Sequence, residues 1–256
     1  MPSLTSLANP SRFMALTARA LPWLAGAAAL LFVIGLWLAF TAPEDYQQGE
    51  TVRIMYLHVP SAWLSLLIYT TMSASAIGAL VWRHPLAEVS MKAAAPIGCV
   101  FTFLCLVTGA LWGKPMWGAW WVWDARLTSM LVLLLIYLGI VAIWNAIEDQ
   151  AYAARVAALA TLVGFVNIPI VKFSVEWRTL HQGASVFTLE GSKIAPEILL
   201  PLLAMACAFT CLYVALHLAA MRNQILRRRL RRLAIIAASE VPPRLPIASV
   251  EGGVRA

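Results

Sequence analysis

Six runs of roughly 20 apolar residues, at about 21–41, 60–82, 93–112, 127–147, 155–172 and 196–220, leave this chain few ways to fold. A helix needs about 20 such residues to cross the hydrocarbon core of a bilayer. Backbone N–H and C=O groups in lipid must pair within their own segment, so runs this long and this rich in Leu and Ala predict helices. With 61% hydrophobic residues, 12% charged and a mean hydropathy of +0.79, the composition is not that of an ordinary soluble domain. The expectation is an all-α polytopic membrane protein. Its six-helix bundle would occupy 21–220, after a cytoplasmic N-terminal segment at 1–20 and before a basic cytoplasmic tail at 221–256. Asn167, Pro169 and Lys172 interrupt the fifth run. Arg12 and Arg19 precede the first, but that run exceeds the 7–15 residues of a signal-peptide core and reads as a span.

Orientation follows from the basic residues. Arg12, Arg19, Arg83, Lys92, Arg155 and the run RNQILRRRLRR fall on the side of the two termini; Arg53, Lys114, Arg126, Lys172, Arg178 and Lys193 fall opposite. The positive-inside bias then puts both termini in the cytoplasm, and most of the asymmetry comes from the tail. The net charge of +7 reads as a topology signal and a contact for anionic lipid, not as nucleic-acid binding.

Three loops face outward on this topology, at about 42–59, 113–126 and 173–195. The middle one reads KPMWGAWWVWDAR and places Trp117, Trp120, Trp121 and Trp123 next to the fourth span. One tryptophan at a membrane boundary is an anchor. Four offer more flat apolar surface than anchoring requires, and suggest a platform for a large planar ligand. A short interfacial helix or turn after Pro115 is the expected conformation, with Trp117, Trp120, Trp121 and Asp124 sharing a face. An extended segment would instead group Trp117, Trp121 and Trp123. Asp124 with Arg126 is a candidate pair, more simply read as a tie to the start of the fourth span.

The flanking loops each carry a histidine near a helix end, His58 in YLHVP and His181 in VEWRTLHQG. A single such histidine is usually a hydrogen-bonded structural residue. Two on the same side of the membrane, flanking an aromatic surface, suit the axial positions of haem iron. Haem is a flat ring with two carboxylates, and Lys114, Arg126 and Arg178 are candidate partners for its propionates. Headgroup contact, or pairing with Asp124 and Glu176, accounts for these cations equally well.

The motif is specific. WGAWWVWDARLT at 117–128 resembles the tryptophan-rich signature of the haem-handling proteins of bacterial cytochrome c maturation. VRIMYLHVP at 52–60, APIGCVFTFLCLVTGALWGKPMW at 95–117 and TLHQG at 179–183 are similar to one branch, the CcmC (haem exporter protein C) family. The resemblance covers about 45–220. It implies an inner-membrane protein of six spans that binds haem b at its periplasmic face and delivers it to the haem chaperone CcmE. It also implies the small membrane protein CcmD and the transporter subunits CcmA and CcmB as partners. Carried over, the iron ligands are His58 and His181, and the haem-binding residues are Trp117, Trp120, Trp121, Trp123 and Asp124, with Arg126 and Arg178 as cations. The family commonly has two adjacent tryptophans before the second histidine, where VEWRTLH has Trp177 alone.

Other residues narrow the function. His84 and His217 lie toward the cytoplasmic side, and Cys99, Cys105, Cys207 and Cys211 lie inside spans without C-x-x-C spacing. No P-loop and no paired carboxylates suggest an enzyme, so a transport or assembly factor is expected. An electron-transfer cytochrome would place its histidine pairs at mid-membrane depth. A glycan or lipid carrier stacking on the tryptophans would need neither histidine.

Overall fold

The structure, a computed structural model, describes residues 9–177, 187–188, 191–192 and 194–240. Its helices run in the order α1 (Pro10–Thr41), a 3-10 turn (Glu50–Ile54), α2 (Met55–Val81), α3 (Pro85–Trp117), α4 (Ala125–Ala146), α5 (Gln150–Gly164), α6 (Asn167–Trp177) and α7 (Pro196–Glu240). The only strands among the described residues are the antiparallel pair Phe187–Thr188 (β1) and Gly191–Ser192 (β2). Six stretches are long and apolar enough to cross a membrane, one of them built jointly from α5 and α6. The protein is an all-α polytopic membrane protein.

Local chemistry sets the helix ends. Asn9 accepts from the Ser11 N–H at 2.8 Å, and Pro10 starts α1 where no intrahelical donor is needed. Asp149 caps α5 through the N–H groups of Ala151 and Tyr152. Asp45 accepts from the N–H groups of Gln47 and Gln48, folding the chain back into the 3-10 turn that feeds α2.

Several boundaries differ from the hydropathy reading. The first helix begins at Pro10, well before the apolar run, with Pro22 inside it. The fifth span breaks between Gly164 and Asn167, and Pro169 falls in the first turn of α6, where its missing N–H costs no helical bond. Asn167 is buried at the break and donates to the Ser129 carbonyl of α4 at 2.9 Å. The sixth span, α7, continues through the arginine run, because Arg, Leu and Ala are good helix formers whether or not lipid surrounds them. That run is not simply solvated. Arg222 donates to the Met14 carbonyl and to Thr17 Oγ1, Arg229 to Ser11 Oγ, and Arg228 pairs with Glu88 at 2.5 Å.

The core is a tyrosine-centred knot of four helices. Tyr69 of α2 and Tyr137 of α4 are fully buried and meet edge to face at 5.2 Å. Tyr137 donates to the Ser65 carbonyl of α2 at 2.9 Å and lies against Gly98 of α3; Tyr69 donates to the Thr161 carbonyl of α5 and lies against Gly164. Membrane helices gain little from expelling water between them, so small residues that admit a close ring, together with buried hydrogen bonds, carry much of the association. α2 packs along α3, and α1 packs along α7, with Gly35 against Met205. The outward faces of α1, including Trp23, Leu30, Val33 and Trp37, are exposed as lipid-facing surface.

Candidate functional site

At the end of the bundle opposite the arginines, α3 carries Cys105, Thr108, Gly109 and Trp112 at helical spacing, one stripe directed at α2. His58 rests on it. Its Nδ1 lies 3.0 Å from the Cys105 carbonyl and 3.1 Å from Thr108 Oγ1. The Thr108 hydroxyl donates its own proton to the Leu104 carbonyl at 2.7 Å. The Cys105 carbonyl can only accept, so Nδ1 carries the proton; the Thr108 oxygen is a second acceptor, and the Cys105 thiol lies farther off at 3.9 Å. Nε2 is then the unprotonated nitrogen, and the ring's hydrogen bonds among the described residues are made through Nδ1. Gly109 makes room for the ring, since a Cβ there would lie 2.9 Å from His58 Cε1. Trp112 closes one side edge-on at 5.6 Å, its indole N–H held by Gln48 Oε1 at 2.9 Å. Sequence reading placed His58 in the first outer loop; it lies instead in the first turn of α2, because the 3-10 turn runs directly into that helix.

Of the short interfacial helix or turn expected after Pro115, no separate helix forms. α3 continues through Pro115 to Trp117 and stops at Gly118, whose φ of 74° is the left-handed cap conformation that glycine adopts without strain. Residues 118–124 form no regular structure before Asp124 starts α4. The grouping is closer to the extended alternative. Trp121 and Trp123 meet edge to face at 5.5 Å, Trp117 folds back over Gly113, and Trp120 stands apart beneath Lys114 Nζ at 5.9 Å. Trp120 and Trp123 are exposed, whereas the Trp121 indole N–H is buried with no hydrogen-bond partner among the described residues. Lys114 also donates to the Gly118 carbonyl at 2.9 Å, so this cation holds the loop.

Asp124 is buried and its carboxylate accepts from the Leu127 N–H at 2.7 Å, capping α4. Arg126, in the first turn of α4, is half-buried and within electrostatic reach of His58, Cys105 and Asp124. His58, Arg126 and the tryptophan loop therefore share one end of the bundle. His181 and Arg178 lie outside the described residues. Sequence reasoning missed Thr108, Gly109, Trp112 and Gln48. The first three were discoverable as one helical stripe pointing toward the histidine; Gln48 was not, since only the Asp45 turn brings it over Trp112.

A family model described as Heme exporter protein C matches residues 3–236. The chain belongs to that family. It is 60% identical over 240 residues to the Heme exporter protein C of Bradyrhizobium diazoefficiens, covering 93% of this chain and 91% of the relative. It is 47% identical over 232 residues to the protein of that name from Escherichia coli K12, covering 90% and 94%. It is also 45% identical over 205 residues to a protein of Marchantia polymorpha described as ccmC-like, mitochondrial and of cytochrome c biosynthesis, covering 79% and 87%.

In this Heme exporter protein C family member, Asp124 joins the loop to the bundle, which makes a first test simple. Asp124→Ala removes a helix N-cap worth about 1 kcal/mol. The expected result is a thermal midpoint in detergent lowered by about 2–4 °C. An unchanged midpoint would show that the cap contributes nothing.

Proposed function

We propose that this chain holds haem at the tryptophan loop and hands it to a partner in cytochrome c maturation. The observation that carries this is the state of His58. The Cys105 carbonyl fixes its proton on Nδ1 and leaves Nε2 as an unprotonated nitrogen beside the Trp112 indole, at the same end of the bundle as the tryptophan loop, and that is the form of imidazole that binds iron. His181 is the second axial ligand in this reading. Trp117, Trp120, Trp121 and Trp123 supply the aromatic surface, and Arg126 with Arg178 supplies charge for the propionates. Asp124 acts on the site by fixing the loop. Haem b is the cargo, and the role is transport and assembly instead of catalysis.

The family relationship supports the inner membrane as the location, with CcmE as acceptor of the haem and CcmD, CcmA and CcmB as companions. The basic bias toward the terminal side supports a cytoplasmic position for both ends and a periplasmic one for the loop.

The test is the visible spectrum of the detergent-purified wild-type chain, followed by mixing with haem-free CcmE. A low-spin Soret band with resolved α and β bands is expected, falling as haem appears on the chaperone. A folded chain that takes up no haem would overturn the reading and favour a carrier that uses the tryptophans for stacking alone.

A further inference from the structure

The lipid-facing side of α4 carries a groove that lies apart from His58. Thr128, Val132, Ile136, Gly139 and Ile143 form a stripe at three- and four-residue spacing. From Ala125 to Ile143 this face rises about 27 Å, close to the full hydrocarbon thickness of about 30 Å. Val163, Gly164, Val166 and Ile170 of α5, α6 and the break between them make the facing wall. Two adjoining cavities lie between the walls, and they share Asn167 and Ile170, so they form one groove. Its deeper part is apolar apart from Asn167. Its other end opens among Trp123, Asp124, Thr128 and Ser129.

The groove is exposed at Gly139, Val163 and Trp123, and between these points Ile136 Cγ2 lies against Gly164. A Cβ built on Gly139 meets nothing within 4 Å, and Val163 and Trp123 are each 74% exposed. Trp123 is also the ring that touches Trp121 in the loop. An apolar channel of membrane depth thus ends on the tryptophan platform, where its lining turns polar.

We infer that this groove is the lateral path by which haem dissolved in the bilayer reaches the platform. The inference rests on the haem reading above and adds the source of the cargo. The porphyrin ring is apolar and flat, so it moves between branched side chains without being hydrated, while its carboxylates stay near the polar mouth. The opposite face of α4 offers no such path, since Leu133 and Tyr137 are closed into the core.

The experiment uses the full chain, haem-free, in phospholipid nanodiscs. Haemin is supplied either dissolved in donor vesicles or from aqueous albumin, and growth of the Soret band is followed. Gly139→Leu and Val163→Trp fill the groove where there is space, and Leu135→Trp, at an exposed site on α4 outside the groove, is the control. The two groove variants are expected to load from vesicles about tenfold more slowly, about 1.4 kcal/mol of barrier. Their loading from albumin, their final Soret amplitude and the control's rates stay at wild-type values. Equal vesicle rates in all four proteins overturn the path, as does a fall in final amplitude in the groove variants, which would place those residues in the binding site. Failure of the wild type to load from either source would overturn the haem reading itself.

Discussion

His58→Ala is expected to remove the low-spin Soret spectrum from the purified chain and to cut haem affinity by more than the roughly 10–100-fold that follows loss of an outer partner of a metal ligand. The Cys105 carbonyl at 3.0 Å accepts only, and the Thr108 hydroxyl at 3.1 Å has its proton committed to Leu104, so the ring is held as the tautomer with Nε2 free. A graded series separates ligation from packing. Thr108→Val keeps the Cys105 bond and removes one acceptor, so it should weaken haem binding by about tenfold at most while leaving a low-spin spectrum. Exogenous imidazole should restore the low-spin band to His58→Ala, filling the space that the ring leaves against Gly109. If His58→Ala retained the wild-type spectrum and affinity, His58 would be a structural residue joining α2 to α3.

Gly98→Leu should have the largest effect on the protein itself. A Cβ at this position would lie 2.2 Å from Cε1 and Cζ of Tyr137, and that ring is fully buried, so it has nowhere to go. Moving it costs the usual overpacking penalty of about 1–3 kcal/mol. Breaking its 2.9 Å bond to the Ser65 carbonyl leaves a buried hydroxyl unpaired, for about 1–3 kcal/mol more. Because α2, α3, α4 and α5 meet at this tyrosine pair, the expected outcome is little or no folded protein in the membrane. Two comparisons guard against a trivial result. Gly139→Leu makes the same change on the open face of α4 and should accumulate normally, and Tyr137→Phe, which loses the bond alone, should fall between. Equal yields and thermal midpoints for Gly98→Leu and wild type would show that the helices are held together elsewhere.

Much of this was legible in the residues. Long apolar runs give spanning helices because lipid allows the backbone no other economical way to pair, and the dense tryptophans with His58 and Arg126 do gather at one end. The missed parts have physical causes. Hydropathy reports where lipid is, not where a helix stops, so it gave no sign that α7 runs on through Arg222–Glu240 or that α1 begins at Pro10. Pro115 suggests a break followed by a short interfacial helix or turn, yet it falls in the last turn of α3, and the stop comes from the left-handed Gly118. The environment of His58 depended on a neighbouring helix. Its partners are a main-chain oxygen, a threonine and the gap left by a glycine, none of which stands out by residue type.

The loop between Gly118 and Asp124 is bolted at both ends, by the Gly118 N–H to the Lys114 carbonyl and by the Asp124 carboxylate to the Leu127 N–H. A segment this short spans about 20 Å even when fully stretched. It behaves as a plate on two fixed hinges, able to rock but not to swing clear of the bundle. On the proposed function the plate stays with the membrane while haem leaves from its free edge, so a receiving protein would have to come down to the bilayer surface to collect it.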